Sequence, residues 1–191
     1  ETIPNNQIWY TSSDGNVVNP YKTDVFGANI TSNLYENGKG IITFDGDVTT
    51  LGDFAFNACK SLATITIPGS ITTIGYAPFQ NCPVLEKFIG KYASDNGRCL
   101  IKDNTIVAYA NASGSSYIIP NIVKKIEDRT FWECTGLTSV TIPESVETIG
   151  QSAFYNCTNL IDVIIPNSVT KIESSAFQYC KKIISIAIPN S

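Results

Sequence analysis

Histidine and methionine are missing from all 191 residues of this chain. Without histidine there is no imidazole to act as a general base near neutral pH or to ligate a metal. Ser-His-Asp triads, Cys-His pairs and Cys/His zinc sites are therefore excluded. The lack of methionine extends to position 1, which points to a trimmed fragment from which any signal or anchor has been cut. No apolar run approaches the ~18 residues of a membrane span, and no charged-then-apolar leader opens the chain. Charge is sparse too: the net charge is −4 with both signs interspersed, so no basic stripe is available to nucleic acid. The acids Asp53, Asp128, Glu147, Asp162 and Glu173 offer no carboxylate pair that stands out. Nothing supplies nucleophile, base and orienting group together, so neither an enzyme nor a cofactor is expected. Asp45-Gly46-Asp47 resembles part of a calcium loop, but two acids are too few ligands, and a tight turn is the expectation.

What the chain does have is a period. Val48–Ser70, Val123–Ser145, Val146–Ser168 and Val169–Ser191 are each 23 residues long and nearly share a phrase. A fifth copy starts at Ile71, breaks off after Phe88 and resumes at Ile118-Ile119-Pro120. A period of this size predicts a solenoid, in which one coil cannot bury its own apolar face and stacks on its neighbours. With 43% hydrophobic residues the chain has the means to build that continuous core. The predicted fold is a β-rich α/β solenoid over residues 48–191. Its coils are 48–70, 71–122 (with an insertion at 89–117), 123–145, 146–168 and 169–191.

Each coil reads as two short strands and a turn. In Leu62-Ala63-Thr64-Ile65-Thr66-Ile67, alternation sends Ile65 and Ile67 inward and Thr64 and Thr66 outward. The proline at Pro68, Pro120, Pro143, Pro166 and Pro189 has no N–H and ends the strand. A second, shorter extended piece follows and stops at Gly52, Gly75 or Gly150. Then come Ala55-Phe56-Asn57-Ala58-Cys59 and its equivalents ending in Cys134, Cys157 and Cys180. Phe and Cys three apart suit a single helical or 3₁₀ turn with both side chains inward. Pro78, where other copies have Ala or Thr, is tolerable only in a first turn.

Cys59, Cys82, Cys134, Cys157 and Cys180 hold one place in successive coils. Neighbouring thiols in such a stack would lie about 5 Å apart at the Cα, which does not forbid bridging, whereas parallel Cα–Cβ vectors disfavour it. A ladder of reduced, buried thiols is the favoured reading over three disulfides. Cys99 falls outside the register and is expected to be exposed and the most reactive.

In the insertion, Arg98-Cys99-Leu100-Ile101 and Ile106-Val107-Ala108-Tyr109 flank Lys102-Asp103-Asn104-Thr105, which reads as a β-hairpin. Asp103 and Asn104 at its tip are candidates for binding, with plain extension of the local sheet as the alternative. Residues 1–47 read as an N-terminal cap. A hairpin is expected there between Ile8-Trp9-Tyr10 and Val17-Val18, with Ile41–Phe44 leading into the first coil. The C-terminus closes on a complete repeat with no cap in view.

Two surfaces are available to a partner. The outward strand positions are Thr64, Thr66, Lys87, Ser139, Thr141, Asp162, Ile164, Ser185 and Ala187, small and mixed, and they read as a solvated face. The turn side offers Trp132, Tyr155 and Tyr179 in three adjacent coils. Such aromatics suit an interface or a surface ladder of rings packed on one another, and both readings stay open.

The repeat as it stands in Val146–Ser168 resembles the BspA-type leucine-rich repeat, and the resemblance covers residues 48–191. Gly90-Lys91-Tyr92 through Cys99-Leu100, and Tyr35-Glu36-Asn37-Gly38-Lys39-Gly40, also resemble segments of such proteins. The resemblance implies a right-handed solenoid on an exported, often lipid-anchored bacterial protein. It implies adhesion or binding to a host or matrix protein or a glycan at the cell surface. It brings no catalytic residues. A structural spacer without its own ligand is the alternative function.

Overall fold

The structure is a computed structural model that describes residues 2–184 and 186. The outward positions Ser185 and Ala187, the strand-ending Pro189 and the end of the last repeat lie outside the described residues. No helix is present among the described residues, and so none is long and apolar enough to cross a membrane.

Three strands come first: β1 (Gln7–Ser12), β2 (Ile30–Glu36) and β3 (Lys39–Phe44). The first two coils add β4 (Thr50–Leu51), β5 (Leu62–Ile67), β6 (Thr73–Ile74) and β7 (Lys87–Gly90). The insertion supplies β8 (Cys99–Lys102), β9 (Thr105–Tyr109) and β10 (Ser116–Ile118). The remaining coils contribute β11 (Lys125–Ile126), β12 (Ser139–Thr141), β13 (Thr148–Ile149), β14 (Asp162–Ile164) and β15 (Lys171–Ile172). Equivalent strands pair in parallel with one period between partners, as in Ile65 with Phe88, Val140 with Val163, and Ile126 with Ile149. The period therefore sets the register directly, and the chain is a β-solenoid.

Ile65 and Ile67 lie inward as alternation places them, and the leucine at the start of each repeat strand is inward as well. Leu62, Leu85, Leu137 and Leu160 are buried in one row, and Ile183 is half-buried at its end. The phenylalanines stack face to face, Phe56 on Phe79 at 5.5 Å, Phe131 on Phe154 at 4.7 Å and Phe154 on Phe177 at 5.1 Å. Fully burying one such ring contributes about 1.5–3 kcal/mol.

The turn segment differs from expectation. No helical or 3₁₀ turn forms; the segment is a run of β-turns. Phe54, Ala58, Arg129, Glu133, Ser152 and Asn156 have φ between 54° and 59°, a region that a right-handed helical turn does not visit. The cause is hydrogen-bond competition. Phe54, Phe56 and Ala58 donate their N–H groups to Tyr76, Pro78 and Gln80 of the next coil, so these groups are not free for a helix. The N–H groups between them make only local turn bonds, Ala55 to the Gly52 carbonyl and Asn57 to the Phe54 carbonyl. Pro78 stands at the Ala55 position, so its missing N–H costs a turn bond and spares the ladder between coils. Asp53 and Asp128, which share one place in the coil, cap this ladder: their carboxylates accept from Tyr76 N–H at 2.7 Å and Gln151 N–H at 2.8 Å.

The expected hairpin in the insertion is present. β8 and β9 pair antiparallel about Asp103 and Asn104, whose φ values of 50° and 60° fit the mirror-image turn of a two-residue hairpin. Beyond the hairpin, β9 pairs in parallel with β11 and β10 with β12. The second half of the insertion is thus seated in the stack, and Tyr109 lies 4.7 Å from Phe131 at the end of the ring column.

At the N-terminus the expected hairpin partners are wrong. Val17 and Val18 form no strand, and the hairpin is β2–β3, turning at Asn37 and Gly38. β1 lies between β3 and β5, antiparallel to both. The Ser12–Asn16 turn signal is real but local: Asp14 accepts from Ser12 and Asn16 within its own loop. The chain then stays outside the sheet, where Val18 N–H donates to the Tyr10 hydroxyl. Phe26 sits between Phe44 and Phe56, so this segment covers the apolar face of the first coil.

All six cysteines are free thiols. The ladder positions are buried except Cys180, which is half-buried at the last coil. Cys99 overturns its expectation, being fully buried with its sulfur 2.8 Å from the Tyr117 hydroxyl. Its strand β8 turns Cys99 and Leu100 into the interior, and burial pushes its thiol above the usual value.

Candidate interaction surface

The turn side of the coils carries a line of planar groups. Each comes from the turn segment of its coil: one period separates Trp132 from Tyr155, and Tyr179 stands one residue past the next equivalent position. Trp132 and Tyr155 lie face to face at 4.0 Å and 11°, and Tyr179 meets Tyr155 edge-on at 5.2 Å. Arg129 extends the line: its guanidinium carbon is 4.7 Å from the Trp132 ring and 5.2 Å from the Tyr76 ring. Its Nη1 donates to Gln80 at 3.3 Å, whereas its Nε is buried without a protein partner. The adjoining cleft, floored by Tyr109 and Asn111, has a volume of about 10 Å³, room for one water and no larger ligand. The strip is therefore a flat ridge. Trp132 and Tyr155 are half-buried and Tyr179 is 54% exposed.

The seven residues singled out in the sequence fall in three places. Trp132, Tyr155 and Tyr179 are brought together in this ridge. Lys87 and Asp162 lie exposed on the strand face, Lys87 on β7 and Asp162 on β14, in separate sheets. Asp103 and Asn104 are exposed at the β8–β9 turn, and the Asn104 carbonyl accepts from Lys124 N–H at 2.8 Å, which ties the tip into the ladder.

The strand face is more apolar than expected. Ile118 and Ile164 are 74% and 77% exposed and flank Thr141 in one cross-strand row. Further along, Leu34 is 59% exposed on β2, and Lys39 lies 3.2 Å above the ring of Trp9. Ile118 is not among the outward positions read from the repeat because it directly follows the insertion, where the strand of that copy is cut short, and Leu34 and Trp9 are not because nothing repetitive marks the cap. The available signal was alternation in Ile30–Glu36 and Lys39–Phe44 taken as a pair. Among the described residues no group of three acidic or cysteine side chains is placed to hold a metal.

The BspA type leucine rich repeat region matches this chain in six copies over residues 28–94 and 105–191. The protein belongs to that family. The match begins ahead of Val48 and leaves out only residues 95–104 of the insertion. Among solved structures, the chain is similar to a leucine rich cell surface protein of Faecalibacterium prausnitzii at 29% identity and a TM-score of 0.61, covering 74% of this chain and 45% of that one. It also shares its fold with the pneumococcal vaccine antigen PcpA, at 23% identity and a TM-score of 0.61 over 69% of this chain and 34% of that one. The chain thus spans less than half the length of either. No curated protein matches it. Membership makes the chain a protein-interaction repeat module.

Proposed function

We propose that this protein is a non-enzymatic binding module displayed on a bacterial surface or secreted, and that it serves adhesion to a host or matrix protein or a glycan. Its similarity to a leucine rich cell surface protein supports the location. The observation that carries the binding role is the ridge of Arg129, Trp132, Tyr155 and Tyr179, planar groups aligned over three coils and open to solvent on their outer edges. Aromatic and arginine side chains dominate the energetics of protein interfaces, because they bury much area and keep a hydrogen-bonding end. A rigid ridge gives up little conformational entropy on binding.

The closeness of Trp132 to Tyr155, 4.0 Å ring to ring, favours a second reading, in which the ridge stiffens a spacer that has no ligand. Binding of the wild-type chain to a panel of matrix proteins and glycans separates the two. The binding reading expects retention of at least one ligand, and about a tenfold or greater loss in a W132A/Y155A/Y179A variant that keeps its circular dichroism. If that variant binds unchanged, the hairpin tip is tested next with D103N/N104G, which preserves the turn. No retention on the panel, or no effect of either variant, makes the spacer the better account.

A further inference from the structure

β2 ends the five-stranded sheet, with β3 as its hydrogen-bonded neighbour. The registers align outward side chains into rows. One row crosses all five strands as Leu34, Ile41, Trp9, Thr66, Ile89; next to it Glu36 faces Lys39 on β3, and Thr11, Thr64 and Lys87 align on β1, β5 and β7. Contacts hold the rows together: the Thr11 and Thr64 hydroxyls are 2.8 Å apart, and Lys39 reaches over Trp9. A third row begins at Ser32 and continues to Thr43 and Gln7.

At the free edge these rows present Ser32, Leu34 and Glu36 as three adjacent starting points. On the outward face, a shallow depression of about 500 Å³ runs from these three residues over Lys39, Ile41 and Thr43 of β3 to Gln7 of β1, so the side chains that flank the edge stand apart rather than packed together. Solenoid and sheet edges are commonly protected by short strands, lysine or proline. β2 is seven residues long and reads Ile-Thr-Ser-Asn-Leu-Tyr-Glu, with no lysine or proline; its register shifts between Ile30 and Ser32, and the stretch from Ser32 to Glu36 beyond that irregularity is regular. The opposite edge is guarded, since β7 is four residues long and Phe88 N–H is taken by the Gly97 carbonyl.

We propose that the β2 edge docks an extended peptide segment of another protein, which joins the sheet as an antiparallel sixth strand. Continuing each row fixes its side chains: a lysine or arginine opposite Glu36, an apolar residue opposite Leu34, and a hydroxyl or amide opposite Ser32. Read from its N-terminus, the segment is cation-x-apolar-x-hydroxyl. β3 already meets these requirements on the inner side of β2, as Lys39-Gly40-Ile41-Ile42-Thr43. The x positions face inward toward Tyr35 and Asn33. The Asn33 amide is committed to the Tyr10 hydroxyl at 2.8 Å and the Val18 carbonyl at 3.0 Å, so the x residues that face it must be undemanding. Main-chain bonds would supply affinity and alternate side chains specificity, as in strand addition generally.

The test uses the full chain, isotope-labelled, and a capped octapeptide Gly-Lys-Gly-Ile-Ile-Thr-Phe-Asp. The expected result is a saturable titration with amide shifts centred on residues 30–36. Glu36→Lys and Leu34→Lys, both on exposed side chains, should each weaken binding about tenfold or more. A peptide with glutamate in place of its lysine should regain affinity for Glu36→Lys, which a general loss of structure would not allow. No saturation by about 1 mM, shifts centred elsewhere, or equal affinity of Glu36→Lys for both peptides overturns the proposal. So does sedimentation of the wild type as a dimer that Leu34→Lys dissociates, since the edge would then belong to a second copy of this chain.

Discussion

The thiol of Cys157 donates to the main-chain carbonyl of Phe131, in the preceding coil, at 3.0 Å. The same bond links Cys82 to Phe56 and Cys180 to Phe154, each at 3.0 Å. Where the neighbouring segment is irregular the acceptor changes, to Asn111 for Cys134 and to the Asn19 carbonyl for Cys59. The cysteine of the repeat is thus more than a small buried hydrophobe. It fills apolar space and satisfies a buried carbonyl at once. Cys157→Ala should therefore cost about 0.5–1.5 kcal/mol, since it removes this bond while the Phe131 carbonyl keeps the Cys134 N–H at 3.3 Å. Urea unfolding checks this; a variant as stable as the wild type would mean the bond contributes nothing.

Thiol labelling should follow burial in the same ladder. Cys180 is the least buried of the six, so a maleimide should modify it first in the native chain, and denaturation should release the others. Cys99 should stay protected, because burial raises its thiol and Tyr117 covers its sulfur. Peptide mapping that finds Cys99 modified ahead of Cys180 would contradict this placement.

Phe154 lies between Phe131 and Phe177, stacked on both. Phe154→Ala should destabilise by about 3–5 kcal/mol. Because each coil contacts only its neighbours, hydrogen exchange should speed up mainly in residues 123–184 and little in the N-terminal sheet. Uniform loss of protection would show a more cooperative stack than nearest-neighbour contacts provide.

Where the sequence repeats, it specifies the structure closely: Ile65 and Ile67 point inward because alternation at a fixed period leaves no other register. The turn segment was misread because Phe and Cys three apart fit a helical turn as well as two successive β-turns. Only the partners of the Phe54, Phe56 and Ala58 N–H groups decide between them, and those partners lie in the next coil. The cap failed for a similar reason. β1 pairs with β3 and β5, strands 30 to 60 residues away, while the Ser12–Asn16 signal comes from the local bonds that Asp14 accepts. Of the candidate surface, the Trp132, Tyr155 and Tyr179 alignment was legible from their nearly shared place in the repeat. Arg129 was not, because its contact with Tyr76 spans the insertion.

Gly40 marks how tightly the cap is built. The Tyr10 ring lies across it, and a Cβ there would fall 2.1–2.4 Å from three ring atoms. Tyr10 has little room to move, since its hydroxyl donates to Asn33 and accepts from Val18. Gly40→Ala should destabilise by about 3 kcal/mol or more, at or above the usual cost of overpacking. The near-ultraviolet dichroism of Trp9 and Tyr10 should change while the later coils keep their exchange protection. A variant with wild-type stability would show that the ring yields.

The pH dependence of stability should be one-sided. With no histidine, nothing ordinary titrates between about pH 5 and 8, and stability should be flat there. On the acid side, Asp14, Asp45 and Glu173 are held below their usual values by hydrogen bonds to Ser12, Asn29 and Lys171, respectively. A lowered carboxylate stabilises above its unfolded value and loses that contribution as pH falls, but Asp14 and Asp45 are exposed and Glu173 lies at the surface beside an exposed Lys171, so solvent screening should keep the acid effect slight. On the alkaline side the groups are buried. Burial raises Cys99, Tyr109 and Tyr117 above the ordinary thiol and phenol values of 9.0 and 10.0. A raised group holds its proton in the folded chain while the unfolded chain releases it. Its contribution is complete below the unfolded value and is lost as pH climbs toward the folded one. Urea midpoints measured from pH 5 to 11 should therefore be level up to about pH 8.5 and fall steadily beyond it. Cys99→Ala should make that decline shallower and leave its onset in the thiol range, because hydrogen bonds to neighbouring thiols, together with burial, also raise Cys82, Cys157 and Cys180. A midpoint that drops between pH 6 and 8, or holds constant to pH 11, would contradict the burial of these three side chains.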